Sequence, residues 1–251
     1  NKMKRTIFIL LVLFTAIGWG QSDALFEQGK EHYKNAKYQE AINSWEKILD
    51  NGQHSASLYF NLGNANYKLN KVGPSIFFYE KALQLAPNDS DIKTNLKFAE
   101  NARIDAIEPL PKTVFSKWYN AVAGLLHFDG WAILAVAGTI LFVVFFLTYW
   151  FTVGETKKRV FFSTSILILL VMLGSVAMAF QTYGDYQSDR PAIVFAESSE
   201  ARAEPNMGGE VAFVLHEGTK VQILAEEASW IRIRLANGKD GWIPQNDVKQ
   251  L

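Results

Sequence analysis

Two long runs without a charged side chain constrain this sequence more than any other feature. No Asp, Glu, Lys, Arg or His occurs between Trp131 and Val153, and none occurs between Val160 and Gly184. At about 1.5 Å per residue, a helix over either run exceeds the roughly 30 Å hydrocarbon thickness of a bilayer. Helices of soluble proteins rarely stay apolar on all sides for that length, so the sequence predicts transmembrane helices at 131–153 and 160–184.

The connection between the two runs is short and basic. It reads GETKKR, residues 154–159, and contains Lys157, Lys158 and Arg159. Because short basic loops are retained in the cytoplasm, we expect this loop to be cytoplasmic and the chain on both sides of the hairpin to be external. Pumps and channels place ionisable groups within the bilayer, and neither run has one. The two spans are therefore interpreted as an anchor.

Residues 1–20 have the organisation of a secretory signal peptide. Basic residues precede an apolar run, and Gly18 and Gly20 occupy the small-residue positions before Gln21. An uncleaved first membrane anchor is the alternative, because Gly-Trp-Gly is a less usual cleavage context than Ala-x-Ala. In either case the chain from Gln21 onward is expected outside the cytoplasm, in agreement with the basic loop.

The segment after this leader repeats itself with a period of 34 residues. Gly29 recurs as Gly63, and Trp45 recurs as Tyr79. The period and these positions resemble the tetratricopeptide family, in which small residues stand where the two helices of a repeat cross and aromatic residues fill the space beside them. The resemblance implies an all-α helical stack over residues 21–107, made of repeats 22–55 and 56–89 and a capping helix 90–107.

The first helix of each repeat lines the concave side of such a stack. We expect a partner-binding groove there, formed by Phe26, Lys30, Tyr33, Phe60, Asn64 and Lys68. Exposed aromatic residues on a concave face are more often contact residues than scattered ones are. The alternative is that these side chains form a solvated inner face without a ligand.

Residues 108–130 separate the stack from the first span. Pro109 and Pro111 cannot continue a helix, so the stack ends there. The segment that follows is apolar but interrupted by polar residues, which favours an interfacial helix on the outer leaflet. His127 has no second histidine at metal-ligand spacing, so no metal site is expected.

The C-terminal residues 191–251 are predicted to form a small all-β barrel. Five short apolar runs are separated by turn residues, and apolar residues alternate with polar ones in WIRIRLA. The stretches LHEGTKVQIL and SWIRIRLANGKDGWIPQNDVKQL resemble bacterial SH3 domains, whose members often recognise envelope peptides or cell wall. Trp230 and Trp242 are expected either in a binding groove or in the core.

The order of these modules resembles the BatE proteins of Bacteroidetes aerotolerance operons. The resemblance implies an inner-membrane protein of a Gram-negative bacterium whose N- and C-terminal domains are periplasmic. It also implies an assembly with other Bat-type membrane proteins that carry von Willebrand A domains and, indirectly, with a MoxR-type ATPase. The associated process is aerotolerance or stress resistance and envelope integrity.

Composition narrows the function classes. The chain has no cysteine, which removes disulfides, thiolate metal sites and a cysteine nucleophile. The formal net charge is +0, and no basic run suggests nucleic-acid binding. No catalytic or nucleotide-binding motif is present. We therefore expect a non-catalytic envelope scaffold without cofactor or metal; the alternatives are a cell-wall sensor that binds peptidoglycan through its SH3 domain and, from the hairpin alone, a transporter accessory.

Overall fold

A computed structural model of the protein describes residues 22–251. The signal peptide predicted at residues 1–20 lies outside the described residues. The described residues divide into two compact units, of which one contains residues 22–109 together with Arg190–Leu251 and the other consists of Leu110–Asp189. The multidomain architecture expected from the sequence, an all-α stack, two apolar helices of membrane-spanning length and an SH3-like β domain, is confirmed.

The helical part of the first unit contains five helices in the described region. They are α1 (residues 22–34), α2 (Tyr38–Asp50), α3 (Ala56–Lys68), α4 (Val72–Leu85) and α5 (Ser90–Asn101). A Cβ atom built on Gly29 would lie 2.1 Å from Trp45, and one built on Gly63 would lie 2.6 Å from Tyr79. The same close crossing of a glycine and an aromatic ring therefore occurs twice, one sequence period apart.

The turns of the stack repeat as well. Ala36 and Asn70 both have a positive φ, at 57° and 58°, and each connects the two helices of a pair. Ser55 caps α3 by accepting a hydrogen bond from the Leu58 N–H. The side chains of Lys37 and Lys71, which precede α2 and α4, make no such bond. The second helix of each pair therefore begins without a side-chain cap from its own N-cap residue.

The last helix of the stack is shorter than the sequence suggested. A capping helix was expected to run to Ile107, but α5 ends at Asn101. The chain beyond it leaves the helical path because Asp105 bonds to the β domain, and Ile107 packs against the core of that domain. Tertiary contacts thus end the helix before the prolines do.

The β part of the first unit is an antiparallel sheet of seven strands. They are β1 (Pro191–Val194), β2 (Ser198–Arg202), β3 (Val211–His216), β4 (Lys220–Glu227), β5 (Trp230–Arg234), β6 (Asp240–Pro244) and β7 (Val248–Gln250), in the order β3-β2-β6-β5-β4-β1-β7. In β5, Ile231 and Ile233 are buried while Arg232 and Arg234 are exposed, which confirms the predicted alternation. Strands β2 and β7 were not predicted.

The second unit contains α6 (Val114–Ala123), α7 (Phe128–Phe151) and α8 (Glu155–Ser188). Both α7 and α8 are long and apolar enough to cross a membrane. They pack against each other where small side chains allow it, and Ser165 and Ser175 are buried there. A Cβ atom built on Gly138 would lie 3.1 Å from Met172, so a larger residue at Gly138 would separate the two helices.

The basic connection between the spans differs from its prediction. Residues 154–159 were expected to form a loop, but Glu155 already begins α8. An acidic residue in the first turn of a helix is favoured by the helix dipole. Lys158 also lies over the ring of Tyr149, at 5.3 Å from its centroid. The charged residues are thus the exposed start of a helix, and the turn itself is residues 152–154.

Candidate partner-binding surfaces

A pocket lined by aromatic and polar side chains lies between α1, α3, α4 and α5 of the stack. It encloses about 270 Å³ and is lined by Tyr33, Asn64, Tyr67, Lys68, Tyr79, Asn95 and Phe98. Three of the six residues predicted for the groove, Tyr33, Asn64 and Lys68, meet here. We call this pocket the helical groove.

A hydrogen-bond network fixes the polar floor of the helical groove. The Tyr79 hydroxyl donates to Asn64 Oδ1 at 2.6 Å, and Asn95 Nδ2 donates to the same oxygen at 2.9 Å. Burial raises the pKa of the Tyr79 hydroxyl, so it stays a neutral donor at physiological pH. The Asn64 carbonyl is occupied by these two donors, which holds its amide group in one orientation for an incoming acceptor.

The other three predicted residues lie elsewhere. Phe26 lines a separate cavity of about 500 Å³ with Ile48 and Leu58, and its ring lies 6.5 Å from that of Trp45. Phe60 is partly buried against Tyr79, with ring centroids 5.9 Å apart. Lys30 forms an ion pair with Glu27 at 2.9 Å. The two phenylalanines therefore contact the core of the stack, and the structure does not join them to Lys68 in one groove.

Four residues that line the helical groove were not predicted for it, namely Tyr67, Tyr79, Asn95 and Phe98. Tyr67 is 40% exposed. Phe98 is 56% exposed, and Asn95 lies beside it on α5. The signal was available in the helical period, because Asn95 and Phe98 are one turn apart on the helix interpreted as a solvating cap.

The two tryptophans of the β domain are both partly exposed. Trp230 and Trp242 are absent from the buried cluster that forms the core of this domain. Arg202 of β2 and Arg232 of β5 stand directly opposite Trp242 on the neighbouring strands. Residues directly opposite in an antiparallel ladder point to the same face, so Trp242 lies between two arginines.

A contact between the helical stack and the β domain was not expected from the sequence. We call it the seam. Asp105, which follows α5, accepts hydrogen bonds from the His216 N–H and from Thr219 Oγ1, both at 2.7 Å, and its second oxygen lies 2.8 Å from His216 Nδ1. Burial opposes ionisation of Asp105, but these hydrogen bonds outweigh it and lower its pKa.

Two further polar contacts hold α4 at the seam. Glu217 accepts a hydrogen bond from the Gly73 N–H at 3.0 Å, within the first turn of α4. Lys220 forms an ion pair with Glu80 at 2.6 Å, in which the glutamate is largely buried. The β domain thus supplies the N-terminal cap that Lys71 does not provide.

Apolar contacts complete the seam. Ile193 of β1 is fully buried and belongs to the core cluster of the helical stack. The rings of Phe77 and Phe195 meet edge to face at 5.5 Å. Gly218 has φ +86°, and a Cβ atom there would lie 2.9 Å from Val72 and 3.0 Å from Ile76. A hydrophobic core shared in this way explains why both domains fall in one compact unit.

Comparisons with known proteins agree with this architecture. Residues 200–249 match the family model of the bacterial SH3 domain, and residues 56–89 match that of the tetratricopeptide repeat. The chain contains both domains. No curated protein matches the chain.

Solved structures give partial similarity. One is an NlpC/P60 family protein from Bacillus cereus ATCC 10987, with 20% identity over 28% of this chain and 23% of that chain and a TM-score of 0.22. Another is the C-terminal SH3 domain of Myosin IB from Entamoeba histolytica, with 23% identity over 26% of this chain and 95% of that chain and a TM-score of 0.18. The chain spans less than a quarter of the length of the first protein.

Proposed function

We propose that this protein is a membrane-anchored, non-catalytic scaffold of the bacterial envelope, with the helical groove and the SH3 domain presented to protein partners on the periplasmic side. The observation that carries the proposal is the seam. Two domains that share a buried core must lie on the same side of a membrane, and the two spans between them meet that condition. The basic residues at the turn between the spans favour the cytoplasm, which leaves both domains outside.

The order of the modules also supports a more specific role. Its resemblance to BatE proteins suggests an inner-membrane assembly with other Bat-type proteins that carry von Willebrand A domains and, indirectly, with a MoxR-type ATPase. In this role the protein contributes to aerotolerance or stress resistance. The tetratricopeptide and SH3 domains are both kinds of domain that bind proteins, which is the chemistry such an assembly requires.

The orientation is tested with a reporter enzyme that is active only in the cytoplasm. Fused after Leu251, the reporter should stay silent, and inserted at Gly154 it should be active. Strong activity after Leu251 would contradict the periplasmic orientation of both domains, because the seam requires the helical stack and the SH3 domain to lie on the same side of the membrane.

Partner binding is tested by gentle detergent extraction of a tagged full-length protein and mass spectrometry of what copurifies. The double change Lys68→Ala and Phe98→Ala should reduce the copurified partners about tenfold, since loss of one aromatic anchor typically costs at least ~1–2 kcal/mol. A matched control, Lys93→Ala with Leu85→Ala, removes an exposed lysine and an exposed apolar residue of the stack that do not line the helical groove. Equal recovery from both variants would reject the groove as the binding surface.

Binding of peptidoglycan through the SH3 domain is the second candidate. It is favoured by Trp242, which is partly exposed between Arg202 and Arg232 and takes no part in the seam. A partly exposed aromatic ring suits a saccharide, and the two arginines beside it are each paired with a carboxylate, Glu200 and Asp240. Co-sedimentation with purified sacculi tests it: Trp242→Ala should release the protein, whereas the groove variant should still sediment.

A further inference from the structure

Two lysines converge on one aromatic ring at the seam. Lys249 Nζ of β7 lies 4.9 Å from the centroid of Phe77 and 5.8 Å from that of Phe195. Lys81 Nζ of α4 lies 5.7 Å from the centroid of Phe77. One ammonium group comes from the helical stack and the other from the SH3 domain, so this pair exists only when the two domains are docked.

The lysine pair differs from other cations of the seam because it has no acidic partner. Lys220 is neutralised by Glu80, and Arg103 lies 4.0 Å from Glu100. Within residues 22–251, neither Lys81 nor Lys249 forms an ion pair within 4.0 Å. Burial and the charge of Lys249 lower the pKa of Lys81, as expected for two like charges that no anion separates.

Cation–π contacts hold the two ammonium groups in place without neutralising their charge. The ring of Phe77 is 4% exposed and therefore fixed by the core, while Lys81 is half-buried and Lys249 is exposed. Each ammonium group has three N–H donors. An aromatic face attracts the positive charge but does not accept hydrogen bonds from these donors as a carboxylate would. An anion at this position would relieve the repulsion between the lysines.

We propose that Lys81 and Lys249 form a carboxylate-binding site, and that its ligand is an Asp or Glu side chain in an acidic segment of a protein partner. The proposal rests on the proposed function in one respect, namely that the partner is a protein. Phosphate sites typically use a helix N-terminus, and Glu217 already occupies the N-terminus of α4. Since no free helix N-terminus of the described residues lies beside the two lysines, a carboxylate is favoured over a phosphate as their ligand.

The test measures binding of fluorescent hexaglutamate to the full-length protein in neutral detergent. Lys81→Gln with Lys249→Gln should weaken binding roughly tenfold or more, because it removes both charged donors to the carboxylate. Lys93→Gln with Lys97→Gln removes the same charge from exposed positions of α5 and should change binding less than about twofold. Lys81→Arg with Lys249→Arg should retain binding, and this charge-preserving variant guards against a loss caused by misfolding.

Three outcomes would overturn the site: equal binding to both glutamine variants, loss of binding in the arginine variant with its fold intact, or binding of hexaglutamine as tight as that of hexaglutamate. Inorganic phosphate or purified peptidoglycan that competes better than hexaglutamate would assign the pair to another ligand and also reject the proposal. None of these results affects the scaffold itself, which fails if no membrane partner copurifies with the full-length protein. The two failures are therefore distinguishable.

Discussion

The carboxylate of Glu217 accepts a hydrogen bond from the backbone N–H of Gly73, although 144 positions and two helices of membrane-spanning length separate these residues in the chain. The negative charge lies where the dipole of α4 is positive and where an N–H would otherwise lack an acceptor. A cap that most helices obtain from the preceding residue comes here from another domain. The stability of α4 therefore depends on docking of the SH3 domain.

Removal of this cap should destabilise the first unit. Glu217→Ala is expected to lower the free energy of unfolding by about 1 kcal/mol, the usual cost of a lost N-cap, and the melting temperature by roughly 2–4 °C. Circular dichroism of the purified protein in detergent measures the change. Glu210→Ala, at an exposed position of the same domain, should leave the melting curve unchanged; an equal shift in both variants would contradict the capping role.

Gly218 offers a test of the apolar part of the seam. Gly218→Ala should cost the strain of a positive φ, about 1–2 kcal/mol, and in addition push Val72 and Ile76 of α4 away from the β domain. Gly52→Ala is the matched control, because Gly52 also has a positive φ but a Cβ there would meet nothing within 4 Å. Limited proteolysis between the two domains should accelerate only for Gly218→Ala. Equal acceleration would mean that backbone strain alone is responsible.

Asp105 should make the stability of the seam depend on acid. Its pKa is lowered in the folded protein, so its contribution is present above the ordinary Asp pKa of about 3.9 and is lost as the pH falls through the lower, folded value. Denaturant titrations measure the free energy of unfolding at pH 7 and at about pH 3. Its decrease between these two pH values should be smaller for Asp105→Asn than for the unchanged protein. The control Asp50→Asn, at an exposed position, should show the same decrease as the unchanged protein. An unaltered pH dependence of the free energy of unfolding in Asp105→Asn would reject the prediction.

The two glycines at the helix crossings should respond alike to a single methyl group. Gly29→Ala and Gly63→Ala each place a Cβ within 2.6 Å of an aromatic ring, and overpacking of this kind typically costs about 1–3 kcal/mol. Gly184→Ala has open space at its Cβ and gains helix propensity, so it should not destabilise the protein. Thermal melts of the three variants compare them directly. Stability equal to that of Gly184→Ala at either crossing would contradict the repeat packing.

Sequence reasoning succeeded where a regular pattern carries the structure. The 34-residue period gave the crossings at Gly29 and Gly63, and charge-free length gave the two long helices. It missed β2 because the buried positions of SSEAR are Ser199 and Ala201, small residues that leave no apolar alternation in the sequence. It also treated the helical stack and the β domain as separate, since nothing periodic links positions so far apart.

The groove prediction was limited by a different cause. The register of the repeat correctly brings Tyr33, Asn64 and Lys68 to one pocket. The ring of Phe26, however, packs near Trp45, and that of Phe60 packs near Tyr79. Whether an aromatic ring on a helix faces a cavity or its neighbour depends on rotamers and on the adjacent helix. Sequence spacing alone does not contain that information.

The distant cap on α4 also imposes an order on biogenesis. At about 5–20 residues per second, the ribosome adds the 144 residues between Gly73 and Glu217 in roughly 7–30 s. During that interval the side of α4 that carries Ile76 and Phe77 has been synthesised, but the SH3 domain that packs against it has not. In the proposed orientation, the nascent helical stack therefore keeps an apolar surface exposed until the second span has been inserted and the SH3 domain has been exported. Export machinery that delays this last step would expose the protein to aggregation at the membrane, even though each domain is complete in sequence.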